Sequence, residues 1–71
     1  MEKLLLIGAS GFGRVVLEHA NQKYDCAFVD DGIDTGSEIC GAKVIGKTSD
    51  IATLYPEYKL LVVTIGNNKE S

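Results

Sequence analysis

The chain has 71 residues and a mass of 7.6 kDa, room for one small domain, and its 45% apolar and 24% charged residues describe a folded chain. A net charge of −3 and a pI near 4.9 argue against a nucleic-acid partner, because phosphate contacts need clustered Lys and Arg and the seven here are scattered. The longest apolar runs fall far short of the roughly 20 residues of a membrane span. Met1-Glu2-Lys3, a short apolar run and a glycine loop do not make a secretory signal. The expectation is a cytoplasmic protein with no membrane partner.

Lys3-Leu4-Leu5-Leu6-Ile7 reads as a strand covered on both faces, stopped by Gly8. The small-residue loop Gly8-Ala9-Ser10-Gly11-Phe12-Gly13 follows. A helix is then expected from Gly11 to about Lys23, with Ser10 as N-cap and with Phe12, Val15, Val16 and His19 or Ala20 facing inward. Cys26-Ala27-Phe28-Val29 is a second buried-strand pattern, ended by Asp30-Asp31-Gly32. Residues 31–41, rich in Asp and Gly, read as a surface loop. Lys43-Val44-Ile45 is a short strand, Thr48-Ser49-Asp50 a helix start, and Pro56 closes a two-turn helix whose Ile51, Leu54 and Tyr55 face inward. Leu60-Leu61-Val62-Val63-Thr64-Ile65 is the strongest strand pattern, stopped by Gly66-Asn67-Asn68.

Strands apolar on both faces and alternating with helices imply an α/β fold: a Rossmann-like half domain, a short parallel sheet with helices packed on it. The expected strand order is 3-2-1-4, with the last strand beside the first. A domain this small buries only about 60% of its unfolded surface, so the chain is expected to belong to something longer. Its last strand, left as an apolar edge, is expected to promote self-association. Cys26, Cys40 and the single His19 do not make a zinc site, and the two cysteines are expected as thiols. His19 matches no catalytic pattern, and no catalytic residue is expected.

Backbone amides opening the first helix have no internal partner and, with the helix dipole, suit a phosphate. Gly8, Ala9, Ser10, Gly11 and Gly13 leave such a group room to approach. Against the dinucleotide pattern G-x-G-x-x-G, Gly8 and Gly13 fit, but Ser10 stands where the second glycine belongs. The alternative is that these glycines serve only a tight turn and close packing. Asp30 follows roughly 20 residues on, where nicotinamide enzymes place an acid on the ribose hydroxyls. Asp30-Asp31-Gly32 fits a self-bonded turn as well. Gly66-Asn67-Asn68 suits a sugar or base edge, or a helix cap.

Taken together, Gly8-Ala9-Ser10-Gly11-Phe12-Gly13-Arg14-Val15-Val16, Phe28-Val29-Asp30-Asp31 and Thr64-Ile65-Gly66-Asn67-Asn68 resemble the N-terminal domain of bacterial PglD/NeuD-type sugar acetyltransferases. The resemblance spans essentially the whole chain. It implies a domain that binds the nucleotide end of a UDP-sugar, within an enzyme that N- or O-acetylates a sugar in surface-glycan biosynthesis. Gly8 to Gly13 would lie at the phosphates, Asp30 and Asp31 near the nucleoside, and Gly66, Asn67 and Asn68 would close the same pocket. Phe12 stands where many members carry histidine, so no charged donor is available there. The family's catalytic half, a left-handed β-helix that holds acetyl-CoA and a general-base histidine, is absent from these residues. This domain is expected to bind no cofactor itself, and the parent enzyme resembles a homotrimer. Two other readings stay open: an NAD(P)-binding half domain of an oxidoreductase, and a non-enzymatic nucleotide-sensing domain.

Overall fold

Leu4, Leu5, Leu6 and Ile7 are all buried, as are Ala27, Phe28 and Val29. Consecutive buried residues in a strand require cover on both faces, because successive side chains point to opposite sides. These runs form β1 (Glu2–Ile7) and β2 (Tyr24–Val29), two of the three interior strands of a five-stranded sheet in a computed structural model that describes residues 1–65. The other strands are β3 (Glu38–Ile39), β4 (Ala42–Gly46) and β5 (Leu60–Val63), and the sheet order is β3-β4-β2-β1-β5. β4, β2, β1 and β5 are mutually parallel, in the expected 3-2-1-4 order, with Leu6 opposite both Phe28 and Val62. Among the described residues no helix is long and apolar enough to cross a membrane.

Two cores lie on opposite faces. Leu4, Leu6, Phe28 and Val44 pack under α1 (Gly11–Ala20) through Leu17 and the half-buried Val16 and Ala20. Leu5, Ile7, Ala27 and Val29 pack against Ile51, Leu54 and Tyr58, from α2 (Ile51–Leu54) and the segment after it. A 3-10 turn at Thr48–Asp50 leads into α2, so the expected second helix is one short α turn with a tighter first turn. Lys3 pairs with Glu57 and lies 5.5 Å from the centre of the Tyr58 ring, fastening β1 to the chain after α2.

The face of α1 differs from the sequence expectation. Gly13 and Leu17 point to the sheet, whereas Phe12 and Val15 are each 52% exposed. The cause is a close approach: a methyl on Gly13 would fall inside the Gly8 carbonyl oxygen and within 3.2 Å of the Phe28 ring. The residue without a side chain therefore turns inward, and the positions one turn on follow it. The helix also stops at Ala20, because β2 begins at Tyr24.

Residues 31–41 are not wholly a loop. Ile39 pairs with Ala42, antiparallel, across a two-residue turn in which both Cys40 (φ 53°) and Gly41 (φ 90°) are left-handed. That is a type I′ hairpin, whose first central position favours Asn, Asp or Gly. Cysteine carries a steric cost there. Cys26 and Cys40 are free thiols, and burial, with help from Asp25, pushes the Cys26 thiol above its ordinary value.

β5 flanks β1 on one side, and no other described strand pairs with it. Val63 is 67% exposed and Leu61, Val62 and Ile65 are also exposed, which is the surface on which the self-association expected from the sequence would act.

Two stability measurements check this account, with far-ultraviolet circular dichroism in urea as the readout because the chain has no Trp. Gly13→Ala is expected to destabilise by about 3 kcal/mol, since α1 must lift from the Gly8 carbonyl. Cys40→Asn is expected to stabilise by about 0.5–1 kcal/mol, by placing Asn-Gly in the type I′ turn.

Candidate functional site

Gly8 ends β1 with φ of +116°, a conformation that L side chains rarely adopt, and a Cβ there would also press on Ile65 at 3.0 Å. Its N–H donates to the Val29 carbonyl (2.9 Å) and its carbonyl accepts from the buried Thr64 hydroxyl (2.6 Å). The loop is thus held from β2 on one side and from the end of β5 on the other. Ser10 occupies the N-cap position with extended backbone, as expected, but its hydroxyl makes no capping bond. The first helical bond runs from the Arg14 N–H to the Ser10 carbonyl at 3.0 Å. The amides of Gly11, Phe12 and Gly13 precede it and have no acceptor within the helix.

The described residues form a cavity of ≈ 240 Å³ lined by Gly8, Ser10, Val29, Asp30, Asp31, Thr48 and Ile65. These follow or end β1, β2, β4 and β5, so every parallel strand contributes its carboxyl end. β1 is also where the strand order reverses, with β2 on one side and β5 on the other. Ligands of open α/β sheets bind at such a point. A larger groove of ≈ 390 Å³ runs along α1 past Arg14, Glu18, Asn21 and Cys40, away from the strand ends. It lies between α1 and the turn that carries Cys40 and takes in none of the residues that follow β1, β2 or β5, so volume alone does not make it the better candidate.

Of the residues singled out from the sequence, Gly8, Ser10, Asp30 and Asp31 line the cavity together. Gly11 and Phe12 lie at the exposed opening of α1, and Gly13 is buried beneath it. Gly66, Asn67 and Asn68 lie outside the described residues. Thr48, Ile65 and Thr64 line or support the site without having been candidate site residues: the sequence marked Thr48 only as a helix start, and Thr64 and Ile65 only as part of the segment that carries the family resemblance. His19 is exposed on α1, and its Nδ1 lies 2.9 Å from the Val15 carbonyl, a contact that requires the ring nitrogen to donate.

Both acids are engaged by the chain. Asp30 Oδ2 accepts the Ala9 N–H and Oδ1 the Gly32 N–H, each at 2.8 Å. Asp31 Oδ1 accepts the Thr48 N–H and Oδ2 the Thr48 hydroxyl, each also at 2.8 Å. The Lys47 ammonium donates to the Asp31 and Ile33 carbonyls at 3.3 and 3.1 Å. Asp50 Oδ2 accepts the Lys47 N–H at 2.8 Å and closes the turn after β4. A Cβ on Gly46 would meet that same carboxylate oxygen at 2.7 Å.

The Thr48 backbone bond, then its hydroxyl and the nearby Lys47 charge, hold the Asp31 carboxyl below its ordinary value. A carboxyl lowered in the folded state stabilises the fold fully above its unfolded pKa of about 3.9, and that contribution is lost as pH falls through the lower folded value. Asp31→Asn is therefore expected to flatten the acid limb of a stability-versus-pH profile below about pH 4. Urea midpoints measured from pH 2 to pH 7 check it, and an unchanged acid limb counts against the Asp31–Thr48 bonds as its source.

The comparison with known families agrees with the geometry. The model of the PglD N-terminal domain family matches residues 3–70, almost the whole chain. No curated protein and no solved structure matches the chain. With the family's match running from β1 through the glycine loop and both acids to beyond β5, the chain belongs to the PglD N-terminal domain family.

Proposed function

We propose that this domain binds the diphosphate and nucleoside of a UDP-sugar, as the substrate-holding module of an acetyl-CoA-dependent sugar N- or O-acetyltransferase. Membership of the PglD N-terminal domain family supports a sugar-acetyltransferase domain. The reading of the ligand rests on one observation above the others: a methyl on Gly11 would meet nothing within 4 Å. Gly8 and Gly13 are required by the fold itself, but no described neighbour requires a glycine at position 11. Glycine there weakens a helix, and its use is explained by a group from outside the chain that approaches the amides of Gly11 and Phe12.

In this reading the diphosphate lies against the opening of α1, where amides and the helix dipole meet an anion without a lysine or arginine. The Ser10 hydroxyl, free of any capping duty, adds a donor. The uncharged part of the nucleotide occupies the cavity beside Asp30, Asp31 and Thr48. Gly66, Asn67 and Asn68 follow Ile65 in sequence and are proposed for the same pocket. Phe12, half-exposed beside the amides, offers a face for packing and no charge.

The domain's part in the reaction is positional. It fixes the nucleotide so that the acceptor amine or hydroxyl of the sugar reaches the acyl thioester and a general base, both supplied from outside this domain. Acetyl-CoA is accordingly a ligand of the longer enzyme, proposed to act as a cytoplasmic homotrimer in glycan biosynthesis.

Calorimetry with UDP on the wild-type chain and on Gly11→Ala tests the reading. The wild type is expected to bind in the micromolar to millimolar range. Gly11→Ala is expected to keep or raise stability, by up to about 0.5 kcal/mol, while weakening UDP about tenfold. Equal affinity of the two proteins removes the phosphate from the amides. Tighter binding of NADH than of UDP favours the oxidoreductase alternative.

A further inference from the structure

We propose that Asp30 is a positioning residue for the phosphate-binding loop, acting through the Ala9 amide, rather than a ligand of the nucleoside; this rests on the reading of the site as a nucleotide-diphosphate pocket. Each oxygen of its carboxylate already accepts a backbone N–H at 2.8 Å, from Ala9 in the loop after β1 and from Gly32 in the turn after β2. Its own N–H donates to the Gly46 carbonyl at 3.1 Å, so the end of β4 fixes the backbone from which the carboxylate reaches. The residue therefore ties three strand ends: its backbone N–H is anchored at β4, it is carried by β2, and its side chain holds the loop of β1.

What it holds matters for the loop. The peptide between Gly8 and Ala9 is fixed at both ends, with the Gly8 carbonyl on the Thr64 hydroxyl at 2.6 Å and the Ala9 N–H on Asp30. A peptide unit is planar, so these two bonds set its orientation about the chain axis. That orientation passes to the next units, those of Ser10 and Gly11, whose amides face a bound phosphate. Bonds from N–H groups to a charged carboxylate are the stronger kind, which suits a side chain that must keep a glycine-rich loop in one conformation.

The positioning role and a direct nucleoside contact predict opposite results for Asp30→Asn. A negative charge beside an anion repels it, so by Coulomb interaction alone a neutral asparagine tightens inorganic pyrophosphate. Loss of the Ala9 hold instead loosens the loop amides and weakens pyrophosphate, and it weakens UDP by the same factor.

The experiment titrates inorganic pyrophosphate and UDP into wild type and Asp30→Asn by calorimetry, and follows amide exchange at Ala9, Gly32 and Thr48 by NMR in the ligand-free proteins. The expected result is faster exchange at Ala9 with Thr48 unchanged, and a parallel loss of about tenfold for both ligands. That factor is what one lost charge-assisted bond amounts to. UDP weakened with pyrophosphate unchanged or tightened overturns the proposal and makes Asp30 a nucleoside ligand. Unchanged affinity for both ligands despite faster Ala9 exchange also overturns it, while leaving the pocket reading in place. A wild type that binds neither ligand removes the pocket reading and this proposal together. If Asp30→Asn does not fold, or keeps Ala9 on its one remaining oxygen so that Ala9 exchange is unchanged, Asp30→Ser carries the same comparison, because it retains an oxygen near Gly32 but is too short to reach Ala9.

Discussion

The Gly8 carbonyl is the point on which the rest of the molecule turns. It ends β1, accepts the Thr64 hydroxyl at 2.6 Å from the strand beside it, and lies against the backbone of α1 at Gly13. An unsatisfied buried carbonyl costs about 1–3 kcal/mol, more than the net gain from a typical hydrogen bond. Thr64 is therefore held to its place by what its loss would leave behind, and its 0% exposure shows how fully water is excluded there. Because the Gly8 N–H also donates to Val29, three neighbouring strands and one helix have their relative heights set by a single residue, through the two peptide units that flank it.

From that constraint the site follows by geometry. With α1 seated on Gly8, its first amides stand above the carboxyl ends of the sheet, and the turns after β2 and β4 rise beside them. Those turns are tied in place by side-chain bonds, because each acid is matched to donors of the chain: Asp30 to Ala9 and Gly32, Asp31 to Thr48. The polar groups divide into two sets. One set satisfies itself and shapes the cavity; the other comprises the amides at the helix opening and the Ser10 hydroxyl, which have no partner in the helix.

Much of this was legible in the residues. Continuous apolar runs marked β1 and β2, which are covered on both faces, and a β-branched apolar run marked β5, although Leu61, Val62 and Val63 are exposed there; the alternation with helices fixed the parallel order. The glycine loop and Asp30-Asp31 marked the strand ends. What was hidden depended on tertiary approach. Hydrophobic spacing put Val16 and Ala20 inside, as the fold does, but also Phe12 and Val15; Gly13 lacks the side chain that would have kept α1 away from Gly8, so Gly13 and Leu17 take the inner face and Phe12 and Val15 lie outside. The hairpin of β3 and β4 was hidden because Cys40 occupies a left-handed position without the composition that announces one. Of the two acids, the sequence allowed either a ligand contact or a self-bonded turn. Which N–H groups their carboxylates reach was settled only by the fold.

An acidic chain that is proposed to bind an anion looks contradictory only if net charge is taken as the measure. At physiological salt the Debye length is about 8 Å, so scattered surface charges largely cancel at the site. What remains is local: the amides at the opening of α1 on one side, and Asp30 and Asp31 on the other. The carboxylates accept four short hydrogen bonds from the chain between them, which spreads part of their charge into the surrounding backbone. The field across the cavity is therefore graded, positive at the helix and negative at the turns. On the proposed reading, a ligand with its charge concentrated at one end and hydroxyls at the other is favoured with its phosphate toward α1. A ligand carrying phosphate at both ends meets repulsion at the turns. Direction, more than affinity, is what such an arrangement gives to a domain whose proposed task is to present one end of its substrate to chemistry performed elsewhere.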